Sequence, residues 1–465
     1  MNTLYITDNG TDFVNKLNAN FTEAGSGSGG GNSLSAKSFG AVGDGVTDDT
    51  DALDELFKQG YLQQKAIFFE PGTYLIRRSL CLRSGMEVYG DSATIKKKAA
   101  YTTTLASAAV KGASYIDVTN ASGFSVGDQF YIADGRNGGT DWGANWCTYG
   151  VITSIEGNRI NFKSCLSPSS EGCVMAHVAG RQVSSSFALL RSWATLYDCD
   201  GVFIHDLTLD GNKTSSEPHE WSNGCIHIDA DNGEGYTSSI GLTFNTIQRN
   251  LIARDLVIKN SSFDGISDQG RSGAVIENCR IMDCYKHGIH FGTNYTNGKV
   301  INCTITNMGF DGVFWCQGVN DIIVSNNYIS SCNKGVSEVE YATPANNSII
   351  SNNIFDGIKN VVFDFSKDAN GYGNLLIANN IIKNVKSTVA KFTNKTNVTF
   401  SGNIITNFST APSYVITLSK VNNAVITNNV CPTNTNYISQ STVTGLIEGN
   451  NSWNYVAPET TETSE

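Results

Sequence analysis

Apolar and polar residues alternate in short runs along most of the chain, and from about Cys199 onward the runs repeat. Ile276-Glu277-Asn278-Cys279-Arg280-Ile281 is followed by Ile301-Asn302-Cys303-Thr304-Ile305 and Ser325-Asn326-Asn327-Tyr328-Ile329. The series continues as Ser351-Asn352-Asn353-Ile354, Ala378-Asn379-Asn380-Ile381, Ser401-Gly402-Asn403-Ile404, Thr427-Asn428-Asn429-Val430 and Glu448-Gly449-Asn450. Positions 279, 303, 327, 353, 380, 403, 429 and 450 are equivalent, about two dozen residues apart. Each repeat holds two or three short β runs and no helical period. One such unit cannot satisfy its strand edges alone, and stacking the next unit at about 4.8 Å does so. The pattern therefore predicts a parallel β-helix. The recurring Asn predicts a ladder of stacked amides. Ile276, Val300, Val324, Ile350, Ile377, Phe400, Ile426 and Ile447 predict an interior apolar stack, and Cys279, Cys284, Cys303, Met308 and Cys332 fit beside it as core residues.

The first part of the chain reads differently. Phe13, Leu17 and Phe21 form one stripe of a short helix that needs a partner. The Gly/Ser run 25–31 follows as a linker. Gly43 and Gly45 permit a tight turn, after which Thr47 or Asp48 caps a helix through about Lys58. Asp48 and Asp49 suit that helix N-terminus and read as structural. Residues 66–74 form a buried strand and turn. Residues 113–118, 129–132 and 159–162 are short strands of a small antiparallel insertion, with turns at Gly127-Asp128 and Glu156-Gly157-Asn158. Trp142, Trp146 and Tyr149 read as that insertion's core rather than a sugar-stacking surface. The organisation is then 1–35 attachment or oligomerisation segment and linker, 36–100 start of the solenoid, 101–182 insertion, 183–455 main solenoid, and 456–465 disordered tail.

Composition narrows the function classes. Charged residues are 16% of 465, the net charge is −11, and no Lys/Arg cluster gives the footprint nucleic acid requires. The longest basic run, Lys96-Lys97-Lys98, reads as a solvated strand end. No run of about 20 apolar residues offers a membrane span, and the N-terminus has no signal-peptide pattern. The 12 cysteines lack CxxC pairing, so neither disulfides nor a metal site is the default, and no Ca²⁺-loop spacing occurs. No cofactor is expected.

Candidate chemistry comes from aligning the coils on a recurring Gly: Asp264-Gly265-Ile266-Ser267-Asp268, His287-Gly288-Ile289-His290-Phe291, Asp311-Gly312-Val313-Phe314-Trp315 and Lys334-Gly335-Val336-Ser337-Glu338. Asp264, His287, Asp311 and Lys334 then form one column. Unpaired charge is costly inside a dry stack, so the column is expected to face solvent at a groove. Asp264 and Asp311 would lie roughly 9–10 Å apart, at the upper edge of the spacing used in inverting glycoside hydrolysis, with His287 tuning both. The blander alternative is that these are turn residues before Gly. Asp268 joins the catalytic set. So do Glu220 and His219, in a long loop beside Trp221 that could place acid/base groups next to a sugar-stacking ring. Lys334, Trp315, Arg271, His290, Trp221 and Glu338 are the substrate-binding set, with Phe314, Phe291 and Tyr341 also at the groove floor and Lys286 beside Arg271 for a sugar carboxylate. His227 and His290 are also lone strand histidines of the kind usually satisfied locally.

Val42-Gly43-Asp44-Gly45-Val46-Thr47-Asp48-Asp49-Thr50, followed by Phe68-Phe69-Glu70-Pro71-Gly72-Thr73-Tyr74, resembles the opening of the pectate-lyase-like β-helix superfamily. The resemblance covers roughly residues 36–455. It implies a right-handed, single-stranded parallel β-helix with an N-terminal capping helix, and a polysaccharide substrate. Asp264-Gly265-Ile266 and His287-Gly288-Ile289 resemble two coils of the polygalacturonase pattern, but its Asp-Asp coil and Arg-Ile-Lys segment are missing. Glu217-Pro218-His219 resembles the Asp-Pro-His motif of uronan epimerases. Residues 13–21 resemble N-terminal segments of phage tail proteins, which implies attachment through residues 1–24, a homotrimer, and a virion-tail or extracellular location. The expected activity is glycoside hydrolysis, of the phage tailspike depolymerase kind. The alternatives are a polysaccharide lyase or epimerase with Lys334, His287 or His219 as base, and a non-catalytic adhesin.

Overall fold

The computed structural model describes residues 33–132, 147–166, 172–215, 217, 223–229, 236–237, 243–244, 246–316, 318–338, 346–366, 372–432 and 436–453. The Phe13/Leu17/Phe21 stripe, the Gly/Ser linker, Trp142, Trp146, His219, Glu220, Trp221, Tyr341 and the tail lie outside them.

Each repeat makes one coil of three strands. In one coil these are Val275–Glu277, Arg280–Met282 and Ile289–Phe291, and the next begins at Lys299–Ile301. Every strand pairs in parallel with its counterpart one coil on: Ile276 with Val300, Ile281 with Ile305, Ile289 with Val313. Among the described residues the first two strands of all coils make a 24-stranded sheet, and the third strands an 11-stranded sheet. The molecule is a parallel β-helix. Its corners are left-handed, and Asn holds most of them: Asn278, Asn302, Asn326, Asn352, Asn379, Asn428 and Asn450 have φ between 52° and 58°. Asn is among the few side-chain-bearing residues that adopt this conformation readily.

The residue after this corner forms the interior amide ladder. Asn353 donates its main-chain N–H and Nδ2 to Asn380 Oδ1 at 2.9 and 3.0 Å. Asn380 does the same to Asn403, and Asn403 to Asn429. Cys303 opens this ladder, donating its N–H to Asn327 Oδ1 at 2.8 Å. Cys279, Cys284, Cys303 and Cys332 are buried, and no thiol is paired in a disulfide. The last coil departs from the expected frame. Asn451, not Asn450, accepts from Asn429, and Ile426 pairs with Glu448, which leaves Ile447 61% exposed. Aligning on the first Asn of Gly449-Asn450-Asn451 slips the register by one, and with a period of two that turns the side chain outward.

At the other end, the helix Thr50–Gln63 buries Leu53, Leu56 and Phe57 in the core of the first coils. It runs one turn beyond Lys58. Asp49 is its N-cap residue, but the Asp49 carboxylate accepts from Val42 and Gly43 N–H instead, while Asp48 accepts from Thr50 N–H. Both acids are thus spent on backbone. Strand Glu87–Lys97 corrects the reading of the basic run. Alternation turns Lys97 inward, where it pairs with buried Glu217 and meets Ser262 at 3.3 Å.

The segment from Thr102 to Ser184 adds a six-stranded, largely antiparallel sheet with its own core, including Ile116, Phe130, Ile152, Ile160 and Phe162. Tyr149 is buried in a separate cluster with Tyr131 and Trp193. Arg191 of the solenoid lies against Tyr149 and Trp193, 4.6 and 4.1 Å from their ring centres.

Candidate active site on the outer face of the second sheet

Alternation within the third strand of each coil separates two sets of residues. Ile266, Ile289, Val313 and Val336 point into the core with Phe291 and Trp315. The residues between them point outward and stack in register: Arg191, His227, Ser267, His290, Phe314, Ser337 and Asp364. Asp311 and Lys334 start their strands, and Asp264 and His287 lie two residues before theirs. Asp311 pairs with Lys334, and main-chain N–H groups of Gly265 and Gly288 bond to the carbonyls of His287 and Asp311. The four residues therefore form the expected column.

The Gly that follows each is fixed by close approach. A Cβ on Gly288 would sit 2.6 Å from Gly312 O, and one on Gly265 would sit 2.6 Å from Gly288 O. Asp264, His287 and Asp311 themselves have ordinary φ, so they are not left-handed turn residues. Their side chains link one coil to the next. Asp264 Oδ1 accepts the His287 main-chain N–H at 3.1 Å, and its Oδ2 lies 2.9 Å from His290 Nδ1. His287 Nδ1 lies 3.2 Å from Asp311 Oδ2, which also accepts from Ser337 Oγ at 2.8 Å. Lys334 pairs with Asp364 at 2.6 Å.

The column does not face open solvent. Asp264, His287 and Asp311 are 0%, 2% and 3% exposed. Burial is tolerated because each charge meets a partner on the neighbouring coil. Phe314 covers one side, its ring stacked on His287 at 4.1 Å and 5°. Phe310 and Tyr285 are exposed at the edge, with Phe310 6.0 Å from the His287 ring.

The two histidines titrate apart. Burial pushes His287 below its ordinary value, and Asp311 only partly opposes this. Burial would also lower His290, but the neighbouring Cys316 and Asp264 outweigh it and raise His290 to about 9. Burial would raise Asp264, yet His290 holds it below the usual carboxylate range. His287 Nδ1 faces Asp311 at 3.2 Å, in ion-pair range but without hydrogen-bond geometry. Among the described residues, His287 Nδ1, His287 Nε2 and Asp311 Oδ1 are buried without a hydrogen-bond partner.

Four expected site residues, Asp268, Phe291, Trp315 and Glu338, belong to the interior instead. Asp268 shares the inward parity of Phe291 and Trp315. It accepts from Tyr295 Oη and Gly270 N–H, both at 2.9 Å, and burial raises it to about 6. Trp315 is buried beside Phe365, at 5.6 Å, so neither it nor Phe291 floors a groove. Glu338 pairs inside the coil with buried Lys395 at 2.7 Å. Arg271 is exposed on the connection beyond strand Ile266–Asp268. His227 is satisfied locally, 3.0 Å from Asp229, which also binds Arg191 at 2.9 Å. Ser337, Asp364, Cys316 and Asp229 were missed. The first two stand in or next to the outward register column that contains His290, and comparing the fourth residue of each aligned string would have found Ser337.

A stack of parallel coils is the architecture of the pectate-lyase-like β-helix proteins. The chain belongs to the rhamnogalacturonase A/epimerase, pectate lyase-like family, whose model matches residues 33–290. This is a family of carbohydrate-active enzymes acting on polysaccharides. The match includes Asp264, His287 and His290 and stops before Asp311. A 58-residue stretch is 40% identical to a glucan 1,3-beta-glucosidase of Cochliobolus carbonum, covering 12% of this chain and 7% of that protein. A solved family 28 exopolygalacturonase of Yersinia enterocolitica aligns over 92% of this chain and 79% of its own, at 12% identity and TM-score 0.48. The A-module of an Azotobacter vinelandii mannuronan C-5 epimerase aligns over 91% and 96%, at 14% identity and TM-score 0.43.

Proposed function

We propose that the chain hydrolyses a glycosidic bond of a polysaccharide at the outer face around His287 and Asp311. The observation that carries this reading is a cluster of buried polar atoms without hydrogen bonds, His287 Nδ1 and Nε2 and Asp311 Oδ1. His287 Nε2 is a ring nitrogen able to take a proton, and Asp311 lies beside the same ring. His287 draws a proton from the attacking water, Asp311 holds its ring from the Nδ1 side, and a solvent water protonates the leaving oxygen. Asp264, ionised and with both oxygens engaged, holds His287 and His290 in place and supplies negative charge where the sugar ring becomes cationic. This replaces the Asp264–Asp311 acid/base pair with a His287–Asp311 pair flanked by Asp264. The exposed Phe310 and Tyr285 rings, 6.2 Å apart at the edge of the cluster, suit a sugar face.

His287 as a neutral base also fits proton abstraction next to a uronate carboxyl, the chemistry of a lyase or epimerase. The products separate the two. Hydrolysis gives a new reducing end without ultraviolet absorbance. β-Elimination gives an absorbing unsaturated uronide, and that product would overturn the hydrolytic reading.

A further inference from the structure

Cys316 differs from the other cysteines. Among the twelve, Cys81, Cys165 and Cys316 are only half-buried. Burial pushes the thiols of Cys81 and Cys165 up to about 11 and 12. Interior thiols such as Cys279 and Cys303 point at main-chain carbonyls of their own stack. Cys316 instead points at a histidine. His290 Nε2 lies 3.3 Å from Cys316 Sγ, and His290 Nδ1 lies 2.9 Å from Asp264 Oδ2.

Carboxylate, imidazole and thiol therefore stand in line across two register steps, because His290 and Phe314 are neighbours in the outward column and Cys316 directly follows the latter strand, Asp311–Trp315. Asp264 orients the ring, and the ring presents its second nitrogen to sulfur. This is the relation of orienter, base and nucleophile that nucleophilic catalysis requires. His290, raised to about 9, is held between Asp264 and Cys316. The ring of Phe314, 4.8 Å from His290, walls the group on one side.

We propose that Cys316, His290 and Asp264 form a thiol centre that removes acyl groups from oxygen esters, the chemistry of O-acyl substituents on a polysaccharide. The Cys316 thiolate attacks the ester carbonyl. The new S–C bond forms, the C–O bond breaks, and the leaving sugar oxygen takes the proton of His290 Nε2. Water then attacks the thioester, its proton returns to His290, and the carboxylic acid leaves as the thiolate is restored. The proposal borrows from the glycosidase reading only the substrate class. The two share Asp264, but Cys316 has no part in glycosidic cleavage.

The test uses the full chain with p-nitrophenyl acetate and with an O-acetylated polysaccharide, for wild type, Cys316→Ala and Cys316→Ser. Each is first checked for an unchanged melting curve. The expected result is acetate release that falls at least ~100-fold in Cys316→Ala, and an acid-quenched acetyl thioester on the peptide bearing Cys316 of the wild type. Iodoacetamide should label Cys316 ahead of the fully buried thiols. Equal acetate release by wild type and Cys316→Ala, no release at all, or no adduct, would overturn the thiol centre. Chain cleavage scored on the same samples keeps the two readings apart: cleavage without deacylation removes this proposal alone, and deacylation without cleavage removes the glycosidase alone.

Discussion

His287 and His290 lie on one coil with their rings 5.5 Å apart, yet their environments move them in opposite directions. His287 is buried against Phe314 and is lowered. His290 is held between Asp264 and Cys316 and is raised to about 9. Two consequences follow at this scale. A base with a lowered pKa stays neutral into mild acid, so the acid limb of kcat/KM should lie below the 6.5 of an ordinary histidine. A wild-type profile collapsing at or above that pH would count against His287 as base. The His290 linkage has the opposite sense. Its folded pKa is above its unfolded one, so its stabilisation is complete below about 6.5 and lost as pH climbs through about 9. Thermal midpoints should fall over that window in wild type and flatten in His290→Asn. A His290→Asn curve parallel to wild type would contradict the assignment.

At the scale of the element, the coil is built from three strands and left-handed corners, and much of it was legible from the chain. Ile276, Val300 and Val324 announced the interior, and the Asn repeats announced the ladder, because a stacked solenoid needs the same side chain at the same place in every coil. What the sequence hid were the inward charges. Asp268 and Glu338 look like surface acids until their parity places them with Phe291 and Trp315, and their partners Tyr295 and Lys395 are distant in sequence. The burial of Asp264 and Asp311 was equally hidden, since it depends on pairing between coils. The ladder itself can be tested. Asn380→Ala removes the acceptor of two buried Asn353 donors, and should cost about 2–4 kcal/mol of unfolding free energy. A loss under about 0.5 kcal/mol, the size of an ordinary surface change, would mean the amides do not hold the coils.

For the whole molecule, stacking turns distance along the chain into proximity along one face. Asp264, His287 and Asp311 come from three successive coils, and Ser337 from a fourth. A rigid solenoid presents such a row to a long, repetitive ligand better than to a small one, which agrees with a family that acts on polysaccharides. The central claim is that this row cleaves a glycan chain. Its most direct test is incubation of the full chain with a panel of bacterial capsular and plant polysaccharides, with mass spectrometry of the products, for wild type, His287→Gln and Asp311→Asn. The account predicts saturated oligosaccharides from at least one polymer with wild type, and at least ~100-fold less from each variant at an unchanged melting curve. Equal product from wild type and both variants, or intact polymer throughout the panel, would contradict it.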